Sequence, residues 1–138
     1  MKELELFDYL KDKLYPDLVK SEGEYDSFDC ISESTKSYIE LKCRNTHYLT
    51  LLIEFAKYTH LIDNANALEY TPYYVNSTPI AIYSFDLSVL PEPVWEEKWL
   101  PSTTEFTNKS NRTKLVGFLS IERAVTICFI PLSVSVVI

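Results

Sequence analysis

Glu40 and Lys42 stand two positions apart in Tyr38-Ile39-Glu40-Leu41-Lys42, and Glu40 lies eleven positions after Asp29. In an extended strand side chains alternate between faces, so Glu40 and Lys42 point one way while Ile39, Leu41 and Cys43 can face a core. The carboxylate and the ammonium are then separated by two residue rises, roughly 6.5–7 Å. A charged pair on an otherwise apolar strand is expected to line a cleft. With a second carboxylate from a neighbouring strand, the set suits a hard divalent cation with a lysine beside it. Metal-assisted phosphodiester hydrolysis uses such groups.

The preceding segment can supply that carboxylate. Tyr25 to Ile31 reads as a short strand and Ser32-Glu33-Ser34-Thr35-Lys36 as a polar turn, so the two strands should pair as a hairpin. Symmetric pairing about this turn sets Asp26 opposite Lys42. One residue of offset sets Asp29 opposite Glu40, and such a slip exchanges faces. Local physics leaves both registers open.

Phe28-Asp29-Cys30-Ile31, a short spacer and Ile39-Glu40-Leu41-Lys42 together resemble the PD-(D/E)XK nuclease superfamily, and within it the small single-domain nucleases of phages and large DNA viruses. The family pattern is an aspartate followed by two apolar residues, then a glutamate-x-lysine strand. Asp29 matches that context and Asp26 does not; Phe28 stands where the family has proline. The resemblance implies a restriction-endonuclease-like α/β fold with a mixed central sheet and flanking helices. It also implies an Mg²⁺- or Mn²⁺-dependent endonuclease or exonuclease acting on DNA, of the phage or viral DNA-processing type. Asp29 and Glu40 would hold the metal with the Leu41 carbonyl, and Lys42 would act on the attacking water. Lys57 matches the lysine that a following helix brings to the metal-site edge. A further acid on an early helix is common in the family, with Glu3, Glu5, Glu22 and Glu24 as candidates.

The 138 residues fit one domain, and 46% apolar with 14% aromatic content excludes general disorder. Gly23 and Gly117 are the only glycines, too few for a phosphate-cradling glycine loop, so nucleotide-binding enzymes of those classes are excluded. The net charge of −7 opposes a nucleic-acid partner as a bulk property, but it is uneven: residues 1–40 carry −6 and residues 106–138 carry +3. Arg44 and His47, just past the Glu40 strand, are candidate phosphate contacts, as are Lys109, Arg112 and Lys114. The expected grip on long duplex DNA is modest and salt-sensitive, or is shared with a second subunit in a homodimer.

Cys30, Cys43 and Cys128 have no disulfide or zinc spacing. Cys30 and Cys43 read as small hydrophobes on the hairpin. Free thiols, with no signal peptide at the Met1 end, fit a reducing, cytoplasmic setting.

These groups need elements to position them. Lys2 to Leu14 is expected to be an amphipathic helix with Leu4, Phe7, Leu10, Lys11 and Leu14 near one face, ended by Tyr15-Pro16. Leu49 to Ala67 is expected to be a helix packing Leu51, Leu52, Phe55, Tyr58, Leu61 and Ile62 on the sheet. Thr71–Val75, Ile80–Phe85, Val94–Leu100 and Leu115–Ile121 read as strands, with a turn at Asn76–Pro79. Tyr73, Tyr74, Trp95 and Trp99 suit core packing better than base stacking. The charge-free tail from Ala124 to Ile138 is shorter than the roughly 20 residues of a membrane helix and suits a last buried strand, or sequence not native to the domain; no membrane partner is expected.

The competing reading is a non-catalytic α/β module that binds a protein or nucleic acid. The two part on whether Asp29, Glu40 and Lys42 converge in space.

Overall fold

The computed structural model describes residues 1–21, 28–101 and 111–130. Its central feature is the hairpin of β2 (Phe28–Ser32) and β3 (Ser37–Cys43), joined by a turn of four residues, 33–36. Ser32 belongs to the strand, not to the turn, because its hydroxyl donates to Asp17 Oδ1 at 2.7 Å while the Ser34 amide donates to Asp17 Oδ2 at 2.8 Å. Those bonds hold the Asp17 carboxyl down to about 2. Lys36 closes the turn in the left-handed region, at φ 51°. Shortening the turn by one residue shifts the register from the symmetric one to Asp29 opposite Glu40 and Phe28 opposite Leu41.

The chain leaves β3 and passes through β4 (Thr50–Glu54) and α2 (Phe55–Leu68). It returns as β5 (Thr71–Ser77), parallel to β3 with Glu40 beside Tyr74 and Lys42 beside Asn76. Antiparallel β6 (Ala81–Asp86) and then β9 (Val125–Phe129) extend that side, and β1 (Val19–Lys20) pairs with β2 on the other. The mixed sheet therefore runs β1-β2-β3-β5-β6-β9. A second, antiparallel sheet has the order β4-β8-β7, from β7 (Glu96–Pro101) and β8 (Asn111–Ser120).

Strand alternation divides the core in two. On one face Cys30, Ile39, Leu41, Val75 and Ile82 pack with Leu6 and Leu10 of α1 (Glu3–Lys13) and with Leu18. On the other, Tyr38, Tyr74, Tyr83 and Phe85 pack with Tyr58, Leu61 and Ala65 of α2 and with Leu51, Ile53 and Leu119 of the second sheet. Each fully buried aliphatic or aromatic side chain contributes roughly 1.5–3 kcal/mol. Gly117 permits a close approach there: a Cβ on it would lie 2.5 Å from Pro93 Cβ and 3.1 Å from the Trp95 ring.

Several expected elements differ, β8 for one beginning at Asn111 and not at Leu115. The segment read as the start of a long helix is strand β4, and the helix begins only at Phe55. Leu51 and Ile53 point to the core, Leu52 and Glu54 to the other face, and the run pairs with β8; this tertiary pairing overrides a helical period too short to be unambiguous. The α1 face is centred on Leu6 and Leu10, whereas Leu4 and Leu14 are exposed. At 3.6 residues per turn Leu4 lies about 140° from the midline of that pair, and Leu14 is already the C-cap. The tail forms β9 over its first residues, a strand at the sheet edge with Val125 and Phe129 exposed rather than the buried strand expected, because β9 pairs on one side only; 131–138 lie outside the described residues.

Candidate active site

Asp29 and Glu40 are direct cross-strand partners, so their side chains leave the sheet on the same face, the one covered by α2. Both are buried among apolar neighbours, at 2% and 4% exposure, where isolated carboxylates are unfavourable. Glu40 Oε1 lies 3.5 Å from Lys57 Nζ. Asp29 Oδ2 lies 2.9 Å from the Tyr38 hydroxyl, which donates to it, and 2.9 Å from His60 Nε2. The second oxygen of each acid, Asp29 Oδ1 and Glu40 Oε2, is buried without a hydrogen-bond partner.

The electrostatics follow from this crowding. Burial, and then the Asp29 charge beside it, push the Glu40 carboxyl up to about 7, against the opposing pull of Lys57 and His60. The Tyr38 hydroxyl is pushed well above its ordinary range by burial and by the Asp29 carboxylate that it bonds. Two buried acids with one unpartnered oxygen each form a donor set that fits a hard divalent cation. Among the described residues no three His, Cys, Asp or Glu side chains gather as a complete cage, so further oxygen ligands would come from backbone or water. Leu41 turns its side chain to the α1 core, so only its backbone is a candidate on this side.

A cleft of about 310 Å³ opens from the Glu40 side of this pair, between the main sheet and the face of β4 and β8; Glu3, Glu40, Lys42, Glu54, Lys57 and Lys114 are among its lining residues, and Asp29 is not. Lys42 follows Glu40 on the same strand face and is exposed. Lys57 comes from the first turns of α2. Glu3 stands on the cleft from the start of α1, whereas Glu5 accepts from the Lys2 amide at 2.8 Å. Lys114 reaches the cleft from β8 and pairs with Glu54 at 2.9 Å.

Other candidates stand elsewhere. Arg44 borders the cleft, but its guanidinium is used internally: Nε donates to Asn76 Oδ1 at 3.0 Å, and the terminal nitrogen Nη2 donates to the Tyr74 hydroxyl at 3.0 Å and to the Leu52 carbonyl. It joins β3, β5 and β4 as a brace while still lining the cleft. His47 Nδ1 is 2.9 Å from Thr78 Oγ1, and the ring lies against Tyr83, away from the cleft lining. Tyr74 is buried, and Trp95 packs edge-on against Phe55 and Tyr58, while Trp99 is exposed. Glu22, Glu24, Asp26, Lys109 and the side chain of Arg112 lie outside the described residues.

Sequence reasoning missed His60, Tyr38 and Glu54. His60 follows Lys57 by three residues, which places both on one helical face, so the Lys57 assignment carried a signal for it. Glu54 was hidden by the expectation of helix across β4.

No family model matches the chain, and no curated protein does. Among solved structures the chain is similar to Archaeoglobus fulgidus Hjc, described as a Holliday junction resolvase from an archaeal hyperthermophile, with TM-score 0.56, 16% identity, and coverage of 92% of this chain and 93% of that chain. The fold is restriction-endonuclease-like. Within the restriction-endonuclease-like fold, the acid pair sits on the central hairpin and faces the crossover helix α2. No described helix is long and apolar enough to cross a membrane.

Proposed function

We propose that this chain is a divalent-metal-dependent nuclease that hydrolyses phosphodiester bonds in DNA. The observation that carries the reading is the Asp29–Glu40 pair: two buried acids, directly opposed, each with an oxygen left unpartnered beside exposed Lys42. Asp29 and Glu40, with the Leu41 carbonyl, would hold Mg²⁺ or Mn²⁺. When bound, such an ion supplies a lowered pKa for water and charge neutralisation at the phosphate. Lys42 orients the attacking water, accepts or relays its proton and offsets charge on the phosphate oxygens. Lys57 holds Glu40 Oε1 and keeps that carboxylate aligned. Lys114 on the far wall is the described cation best placed to meet the DNA backbone, with Lys109 and Arg112 from the same basic stretch as further proposed contacts.

The likeness to a Holliday junction resolvase makes branched DNA a natural substrate, and the sequence resemblance adds a phage or viral DNA-processing role. A second subunit would enlarge a grip that one acidic chain makes weak, and a cytoplasmic site of action suits the free thiols. The test is cleavage of single-stranded, duplex and four-way-junction DNA with Mg²⁺ or Mn²⁺, and with chelator. Metal-dependent cleavage of at least one form is expected. No cleavage of any form would favour a non-catalytic binding module.

A further inference from the structure

Two donors converge on a single oxygen of Asp29. Tyr38 comes from the neighbouring strand and His60 from α2, each 2.9 Å from Oδ2, while Oδ1 has no partner. A carboxylate is free to rotate about its last torsion, in a broad and roughly two-fold potential. Two donors on one oxygen remove that freedom and leave the other oxygen presented.

The tautomer of His60 follows from its own neighbour. Asn64, one helical turn on, approaches the His60 carbonyl at 2.7 Å through Nδ2, and a carbonyl accepts only from an N–H. That fixes which end of the amide is nitrogen. The same Nδ2 lies 3.2 Å from His60 Nδ1, a contact that suits Nδ1 as an acceptor in the neutral ring. When the ring is neutral its proton is therefore on Nε2, and in either protonation state Nε2–H donates to Asp29 Oδ2. With that nitrogen used as a donor, His60 has no lone pair facing the acid pair and is not itself a ligand.

One helix thus serves both acids from successive turns of one face: Lys57 reaches Glu40, and His60 reaches Asp29. We propose that His60, set by Asn64, is a positioning residue that with Tyr38 clamps Asp29 Oδ2 and so presents Asp29 Oδ1 to the cation. The proposal rests on the reading of Asp29 and Glu40 as metal ligands. Outer partners of this kind orient a ligand and fix its basicity, and their loss typically weakens metal binding about 10–100-fold.

Two measurements test it. The first uses the metal-free protein: ¹⁵N-edited NMR of the His60 ring at pH 8.5 is expected to show the Nε2–H tautomer, and the Nδ1–H tautomer would overturn the clamp. The second is calorimetric Mn²⁺ binding. His60→Leu is expected to weaken binding by about tenfold or more, with the fold retained by circular dichroism because His60 is half-exposed. His60→Gln sets an amide N–H near the place of Nε2 and is expected to restore most of the affinity. Wild-type affinity in His60→Leu would overturn the proposal, as would nitrogen coupling to Mn²⁺ in pulsed electron paramagnetic resonance, which would make His60 a ligand. If wild type and Asp29→Asn bind no Mn²⁺ alike, the metal reading fails and the tautomer alone decides whether the clamp exists.

Discussion

Asp29 and Glu40 face each other across the β2–β3 hairpin, and the oxygens Oδ1 and Oε2 are both buried and both unpartnered. On the same face Tyr74 and Arg44 share the Leu52 carbonyl and Lys57 meets Glu40 Oε1, while Asn76 Nδ2 is a third buried atom without a partner. Buried polar atoms without partners are uncommon in folded chains and call for an explanation. Under the proposed function, a divalent cation held between the opposed acids would satisfy Asp29 Oδ1 and Glu40 Oε2 together.

The first prediction concerns pH. Glu40 has an ordinary value of 4.5 and stands at about 7 in the metal-free fold, so between those values the native state holds more protons than the unfolded chain. Stability from this group is therefore full below about pH 4.5 and is lost as pH rises through 7, by on the order of 3 kcal/mol. Glu40→Gln should remove that slope and be more stable than wild type at pH 8 in chelator. Because Lys57 pulls the Glu40 value down, Lys57→Met should move the end of the slope to higher pH. Urea denaturation of the three proteins across pH 4–8 reads this out; parallel wild-type and Glu40→Gln curves would contradict it.

Lys42 is expected to matter for rate and little for folding or metal uptake. It is exposed at the cleft and is not a ligand, so Lys42→Ala should keep its melting temperature and Mn²⁺ affinity while losing about 10²–10⁴-fold in cleavage rate. Single-turnover cleavage on the best DNA substrate measures it. A variant as fast as wild type would remove Lys42 from the chemistry.

Arg44 and Lys114 both border the cleft, and they should behave differently. Arg44→Ala leaves the Asn76 and Tyr74 side chains and the Leu52 carbonyl short of a partner, at a cost of about 1–3 kcal/mol, so it should lower the melting temperature. Lys114→Ala opens a half-exposed ion pair and should leave stability nearly unchanged, while weakening DNA binding and flattening its salt dependence. Thermal melts and fluorescence anisotropy at several salt concentrations separate the two roles. Equal effects of both variants on DNA binding, with equal melts, would reverse the assignment of Arg44.

The acid–lysine strand was legible in sequence because alternation makes Glu40 and Lys42 stand out from Ile39, Leu41 and Cys43. The register was not, since it turns on Ser32 joining β2, and that depends on Asp17, fifteen residues away. The β3–α2–β5 crossover was legible as a helix between strands, but Thr50 to Glu54 satisfies both helical and strand patterns, and only pairing with β8 decides. Arg44 read as a surface cation because no local pattern shows that Asn76 and Tyr74, thirty-two and thirty positions on, will bond its guanidinium. His60 was silent for the same reason: its partner Asp29 lies thirty-one residues before it.

The central claim is that Asp29 and Glu40 jointly hold a divalent ion, and metal-dependent thermal stability at pH 8 tests it most directly. An ion binding only the folded state raises stability by RT ln(1 + [L]/Kd), about 2.7 kcal/mol at a hundredfold excess over Kd, which is a rise of several degrees for a domain of this size. Wild type should show that rise with Mn²⁺, and Asp29→Asn and Glu40→Gln should each lose most of it while melting no lower than wild type in chelator. Asp26→Asn, as the control for the register, should keep the full response. A wild-type protein that Mn²⁺ does not stabilise, or a response that survives in Asp29→Asn and vanishes in Asp26→Asn, would contradict the account.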